Sequence, residues 1–397
     1  MKTSGSKSVR DKITKRVLNA PRSGIRDFFD IVSTRKDIIS LGIGEPDFNT
    51  PWNIREAAIF ALERGGGSTC YTSNLGLLEL RQVISEYISR KYNANYDPES
   101  EILVTVGVSE AMDLALRAII EPGDEVLYHE PAFVSYSPVI LFAQGVPVAI
   151  ETKKENDFRL TREALEEKVT DKTKALILSY PNNPTGASLP AEEVKKVAEF
   201  AKEHDLLVIT DEIYAELTYE GQHTSIASID GMKECTIFLH GFSKAWAMTG
   251  FRMGYACAPA ELTEAMMKIH QYTMMSAPTP SQLAAIEALS NSDEDVEEMR
   301  LAYQKRRNFM HSSFTEIGLP CTKPGGAFYM FPYIGDFGLS SHDFAMKFLD
   351  EEDVAAVPGS AFGACGEGHL RCAYATSMND LKEAMARLAS FVEKLRK

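Results

Sequence analysis

Short apolar runs recur through the middle of the chain, each stopping at a polar residue or a glycine, with helix-spaced segments between them. Glu101–Gly107 (EILVTVG), Glu125–His129, Ala175–Ser179 (ALILS), Leu206–Thr210 (LLVIT) and Thr236–His240 read as buried strands, aliphatic and without alternation. Val108–Ile120 places Met112, Ala115, Leu116 and Ile119 on one helical face, and Ala191–His204 does the same with Val194, Val197 and Ala201 behind Pro190. Strand–helix–strand units of this kind predict an α/β domain with a mostly parallel central sheet flanked by helices. Ligands of such sheets bind in the crevice outside the carboxyl ends of the strands.

The C-terminal pattern is different. Pro324-Gly325-Gly326 opens a strand at Ala327–Phe331, followed by Val354–Val357 and His369–Ala375. A last helix over Met378–Lys397 carries an apolar stripe of Leu381, Met385, Leu388, Val392 and Leu395. These features predict a smaller α+β domain. A chain of 397 residues exceeds most single cores. The expected division is an N-terminal arm over 1–22, a large domain over 49–287, and a small domain from 23–48 plus 288–397.

The strand ends carry the candidate chemistry. ALILS stops at PNNPTG, which holds Asn183; LLVIT stops at Asp211, followed by Glu212, Ile213 and Tyr214. The stretch Thr236–Gly254, TIFLHGFSKAWAMTGFRMG, places Ser243 and Lys244 just past a strand, with Arg252 close behind. A lone Ser-Lys pair at a strand end is ordinarily a solvated surface charge. Asn183, Asp211 and Tyr214 around the same crevice change that reading. An amine, a carboxylate, an amide and a phenol match the needs of an aldehyde cofactor with a pyridine ring. Lys244 would hold the aldehyde as a Schiff base, since a desolvated lysine near positive charge loses its proton readily. Asp211 would keep the ring nitrogen protonated, and Tyr214 and Asn183 would hydrogen-bond the ring's phenolic oxygen. Gly107, Val108 and Ser109 begin a helix, whose unpaired N–H groups and positive dipole end suit a phosphate.

In this order and at these separations, PNNPTG, DEIY, GFSKAWAMTGFRMG and a late LRCAYA resemble the fold-type-I, pyridoxal-phosphate-dependent aminotransferases of class I/II, the aspartate and aromatic aminotransferases among them. The resemblance runs from about Ser23 to the C-terminus. It implies that Ser243 and Arg252 complete a phosphate site with Gly107–Ser109, although Gly241 stands where some relatives carry a further serine. It implies that Phe133 stacks on the cofactor ring, that backbone at Gly44 lies near the substrate carboxylate, and that Arg371 binds that carboxylate. Tyr71, in the glycine-rich stretch Gly65–Arg81, would reach across a homodimer interface to the partner's cofactor phosphate. The segments FFDIV, LGIGEPDF and VPGSAFG look like those of aminotransferases acting on aromatic amino acids, aspartate or acetylated diaminopimelate.

The expected activity is transfer of the amino group of an L-amino acid, aromatic, aspartate or related, to a 2-oxo acid such as 2-oxoglutarate. A carbon–sulfur lyase or an aminocyclopropane carboxylate synthase-like lyase of the same fold is the alternative, because it would use the same lysine and aspartate. A third reading, the effector domain of a transcription regulator, needs a basic winged-helix module for which no room exists before Ser23.

Charge and cysteines narrow the partners. There are 42 basic and 56 acidic residues, a formal net charge of −14, which repels phosphate backbones and anionic lipid. Nucleic acid and membrane are therefore not expected partners. The six cysteines are scattered, indicating neither a metal site nor a disulfide framework. Without a signal-peptide pattern in Met1–Lys15 or a membrane-length apolar run, the expected location is cytoplasmic.

Overall fold

The computed structural model describes residues 8–20, 24–25, 35 and 37–397. A short strand, β1 (Ile39–Ser40), precedes a central sheet of β2 (Ile102–Thr105), β3 (Glu125–Glu130), β4 (Val146–Glu151), β5 (Thr173–Leu178), β6 (Leu207–Asp211), β7 (Thr236–Gly241) and β8 (Gly254–Cys257). Their order across the sheet is β2-β8-β7-β6-β5-β3-β4. The pairs β3–β4, β3–β5, β5–β6 and β6–β7 are parallel. Only β8 is reversed, antiparallel to both β7 and β2.

Both faces of this sheet are covered, which is why its strands read as unbroken apolar runs. Val126, Ile177, Ile209 and Ile237 pack in one cluster with Met112, Ala115 and Leu116 of the helix Val108–Ile119. Leu127, Leu176 and Val208, from the alternate positions, pack with Val194, Val197 and Ala201 of the helix Ala191–Glu203. Asp211 lies two residues beyond Ile209, so it belongs to the face covered by the helix Val108–Ile119.

The C-terminal part adds β9 (Tyr329–Met330), β10 (Val354–Ala355), β11 (Val357–Pro358) and β12 (Leu370–Ala373). Here the pattern overstated the strands. Ala327 has φ +56, which breaks the run, and the ladder with β12 registers only Tyr329 and Met330, with the Phe328 carbonyl accepting from the Tyr374 amide at 2.9 Å. Val354–Val357 is two strands with different partners: β10 pairs in parallel with β1, and β11 is antiparallel to β12. The three-stranded sheet, β11-β12-β9, packs with Phe344 and Phe348 of the helix Ser341–Glu352 and with Leu381, Leu388 and Phe391 of the helix Met378–Leu395. That apolar cluster continues through Phe328 and Tyr214 to Leu178, so the two layers share one interior.

The expected start of the small domain at Ser23, and the FFDIV segment, lie outside the described residues. The helix Thr279–Asn291 packs on the helices Trp52–Arg64 and Leu78–Tyr92, and the 25-residue helix Asp293–Ile317 then runs to the C-terminal layer. No helix among the described residues is long and apolar enough to cross a membrane.

Candidate active site

The carboxyl ends of β2, β3, β5, β6 and β7 open on one side of the sheet, and a cavity of about 380 Å³ lies there. Of the residues singled out from the sequence, Gly44, Val108, Ser109, Phe133, Asn183, Asp211, Tyr214, Ser243, Lys244, Arg252 and Arg371 all line it. The cavity has four chemically distinct regions.

At the end of β6, Asp211 is buried. The Tyr136 phenol donates to Oδ2 at 2.8 Å and the Ile213 amide to Oδ1 at 3.3 Å. Burial raises the pKa of this carboxyl, while the two hydrogen bonds act in the opposite direction. A carboxylate in this position gains most from a cation brought to it.

Beyond β7, Lys244 donates from Nζ to the Gly44 carbonyl oxygen at 2.6 Å. Desolvation first, and the Arg371 guanidinium next, lower its pKa to about 8; Glu45 and Asp211 oppose this and Arg252 adds to it. The amine is thus neutral in roughly a tenth of molecules at pH 7, far more than for an exposed lysine.

The third region is built to hold an anion. Gly107, at φ +77, caps the helix Val108–Ile119, and a Cβ there would sit 2.7 Å from Nη2 of Arg252. Only glycine permits both that backbone conformation and that approach. Arg252 itself is left-handed, at φ +51, which holds its guanidinium against the helix start while Nη1 donates to the Thr249 carbonyl. A guanidinium at the positive end of a helix dipole is unfavourable unless an anion lies between them. Ser243 adds a hydroxyl to the same wall. At Gly241 a Cβ would stand 2.9 Å from the Met253 carbonyl and from Val108 Cγ2, so close packing of β7 on β8 leaves no room for a serine.

Opposite, Arg371 on β12 is 2% exposed. Nη1 donates to Asn183 Oδ1 at 3.0 Å and Nη2 to the Gly42 carbonyl at 2.5 Å, while buried Nε has no partner. Its guanidinium lies over the Tyr329 and Phe362 rings, at 4.7 and 4.8 Å. The ordinary explanation for a buried strand arginine is a salt bridge, and among the described residues it forms none. A carboxylate entering the cavity would meet that need.

The charge pattern therefore runs carboxylate, amine and two separated guanidiniums around one enclosed space. A family model described as aminotransferase class I and II matches residues 36–388. The chain belongs to the class I and II aminotransferases. It is 48% identical to an aspartate aminotransferase of Pyrococcus abyssi over 369 residues, covering 92% of this chain and 94% of that one. It is 46% identical to aromatic-amino-acid aminotransferase 2 of Thermococcus litoralis, also over 369 residues and with the same coverage. The crystal structure of an aromatic aminotransferase from Pyrococcus horikoshii superposes with a TM-score of 0.89 at 46% identity, covering 94% of this chain and 99% of that one.

The protein is accordingly a pyridoxal-phosphate-dependent transaminase, and the lyase alternative is not favoured. The donor set fits the cofactor region by region: an anion cradle for the phosphate, a desolvated amine for the aldehyde and a buried carboxylate for the ring nitrogen. Two tyrosines were missed from the sequence. Tyr136 follows Phe133 by three residues and packs edge-to-face on it, at 5.8 Å. Tyr329, whose hydroxyl lies 2.7 Å from that of Tyr214, sits in an apolar run that reads as plain core. Gly107 and Arg252 lie against each other at the start of the helix Val108–Ile119, where the sequence placed a phosphate cradle. Tyr71 lies elsewhere: it is 80% exposed and does not line the cavity of its own chain.

Proposed function

We propose that this aminotransferase takes the amino group of an aromatic or acidic L-amino acid and delivers it to a 2-oxo acid such as 2-oxoglutarate. The observation that carries this reading is the pairing in one cavity of the desolvated Lys244 amine with Arg371, an arginine that lacks a carboxylate partner. Pyridoxal phosphate supplies an aldehyde for the amine and a ring that withdraws electrons from the substrate's α-carbon. Gly107, Val108, Ser109, Ser243 and Arg252 hold its phosphate, and Phe133 lies against its ring. Asp211 keeps the ring nitrogen protonated, held as a carboxylate by Tyr136 and the Ile213 amide. Tyr214 and Asn183 donate to the ring oxygen; Asn183 Oδ1 is engaged by Arg371, which leaves the amide nitrogen as the donor. Arg371 grips the substrate's α-carboxylate beside Gly44. Lys244 would take the proton from the substrate's α-carbon as a base and, as the conjugate acid, would return a proton to the carbon of the cofactor's aldehyde group, two atoms along.

Dimerisation belongs to the same reading. Tyr71, Tyr272, Met274 and Met275 are all exposed, and Asn74 donates to the Met275 carbonyl at 2.7 Å, tying the two loops together. The 87% exposure of Tyr272 suits a surface buried by a second copy, with Tyr71 reaching the partner's phosphate site. The division into domains 49–287 and 23–48 plus 288–397 places its second boundary within the helix Thr279–Asn291, a few residues before the break at Ser292 that separates it from the helix Asp293–Ile317. A cytoplasmic location accords with its six unpaired cysteines.

The decisive experiment is a panel of amino donors with 2-oxoglutarate, following keto-acid formation and ammonia together. Keto acid and glutamate in equal amounts are expected for aromatic donors or aspartate. Steady ammonia release without glutamate would overturn the reading.

A further inference from the structure

Tyr329 is fully buried, its hydroxyl lies 2.7 Å from the Tyr214 hydroxyl, and its ring carries the Arg371 guanidinium at 4.7 Å. The same hydroxyl closes on Gly44: a Cβ there would stand 2.9 Å from it. One side chain of β9 therefore touches the residue proposed to bind the cofactor's ring oxygen, the residue proposed to bind the substrate carboxylate, and the backbone that accepts from Lys244.

We propose that Tyr329 is a positioning residue that donates its phenolic hydrogen to Tyr214, strengthening Tyr214 as a donor to the cofactor's ring oxygen. The direction follows from what each oxygen can do. A phenol has one hydrogen and can also accept. With the Tyr214 hydrogen turned to the ring oxygen, the 2.7 Å contact can be kept only if Tyr329 is the donor. A hydroxyl that accepts a hydrogen bond becomes a better donor through its own hydrogen, because chains of such bonds polarise one another. The groups facing this pair are Arg371 from β12, Asp211 at the end of β6, and Lys244, whose Nζ lies 5.7 Å from the centre of the Tyr214 ring. Arg371 and Lys244 favour an electron-rich pair of oxygens, and Asp211 opposes it. The guanidinium over its ring also fixes Tyr329 from the substrate side, so the phenol chain is anchored at the carboxylate site.

This inference rests on the proposed role of Tyr214, and the test separates the two. The visible absorbance of the cofactor-loaded protein is titrated against pH for wild type, Tyr329→Phe, Tyr214→Phe and the double variant. Phenylalanine keeps the ring beneath Arg371 and removes one oxygen. A weaker donor to the ring oxygen stabilises its anionic form less, so the midpoint rises. For Tyr329→Phe the expected rise is roughly half a pH unit, the scale of a 10–30% change in one site hydrogen bond. Tyr214→Phe shifts further, and adding Tyr329→Phe to it produces no additional shift, because the effect passes through Tyr214. A midpoint unchanged in Tyr329→Phe but raised in Tyr214→Phe overturns this proposal alone. An additive double variant also overturns it, since Tyr329 would then act by another route. No shift in Tyr214→Phe overturns both this proposal and the role given to Tyr214.

Discussion

Lys244 donates a 2.6 Å hydrogen bond to the carbonyl oxygen of Gly44, a residue 200 positions earlier in the chain. The first follows β7 of the central sheet, and the second lies just past β1, which pairs with β10 of the C-terminal layer. The bond therefore crosses between the layers at the cavity. The carbonyl fixes where the amine sits; burial and Arg371 govern its proton, bringing the pKa to about 8.

Covalent capture of the cofactor needs the free amine, so capture by the apoprotein should accelerate with pH through a midpoint near 8, set by the lowered pKa of Lys244. An ordinary lysine would place it near 10.4. Stopped-flow absorbance over this range measures it, and a midpoint above 10 would show that the amine is not desolvated.

The same shift bears on stability. The unfolded chain keeps the Lys244 proton to about pH 10.4, whereas the folded chain releases it near 8, so between these values the unfolded state binds more protons and stability rises with pH. Lys244→Met removes a penalty that is fully present below pH 8. The apo variant should melt higher at pH 7 by the equivalent of up to roughly 3 kcal/mol, with the gap closing towards pH 10. Turnover should be lost, and borohydride reduction should leave no modified peptide at this position.

Tyr136→Phe removes the 2.8 Å donor to Asp211 and leaves the ring in place. A hydrogen bond to a charged group is worth about 1.5–3 kcal/mol, so the apoprotein should lose up to roughly that much stability, and kcat should fall by roughly 10-fold or more as the carboxylate becomes a poorer partner for the ring nitrogen. Asp211→Asn should fall further, because an amide cannot keep the ring nitrogen charged. Equal activity of wild type and Tyr136→Phe would mean that the Ile213 amide alone holds the carboxylate.

Much of this arrangement was legible in the sequence because strand ends in a parallel sheet converge. Asn183, Asp211 and Lys244 each follow an apolar run, and placing those runs side by side brings the three side chains to one cavity without further information. Arg371 was visible as a charge inside an apolar strand. Tyr329 was hidden because AFYMF has the composition of core, and its hydroxyl acquires meaning only from Tyr214, 115 residues earlier. Tyr136 was hidden for a related reason: its role comes from a helical turn that carries its phenol back over β6. The split of Val354–Val357 into two strands could not be read locally either, since partners on opposite sides of the chain cause it.

Arg371→Lys tests the carboxylate grip. A lysine keeps one charge but cannot present a planar fork, and it cannot keep both the Asn183 and the Gly42 contacts while binding an anion. The KM for every amino donor should rise together, by roughly 10–100-fold, with a smaller change in kcat. A rise confined to one class of donor would place Arg371 at the side-chain end of the substrate instead.

Hybrid dimers decide where Tyr71 acts. In its own chain this tyrosine is exposed and lies apart from the cavity. Its loop is nevertheless held firmly, with Thr279 Oγ1 donating to the Cys70 carbonyl at 2.6 Å and Gln282 to Thr72 at 3.1 Å. Tyr71→Ala should weaken cofactor binding without lowering the stability of the chain, since an exposed side chain contributes little to it. If Tyr71 serves the partner's phosphate, a hybrid of one Tyr71→Ala chain and one Lys244→Ala chain contains one intact site, which combines Lys244 of the first with Tyr71 of the second. Such a hybrid, isolated with two different affinity tags, should recover about half the wild-type turnover per dimer. If each tyrosine served its own chain, one site would lack the lysine and the other the tyrosine, and turnover could not exceed half that of the Tyr71→Ala homodimer.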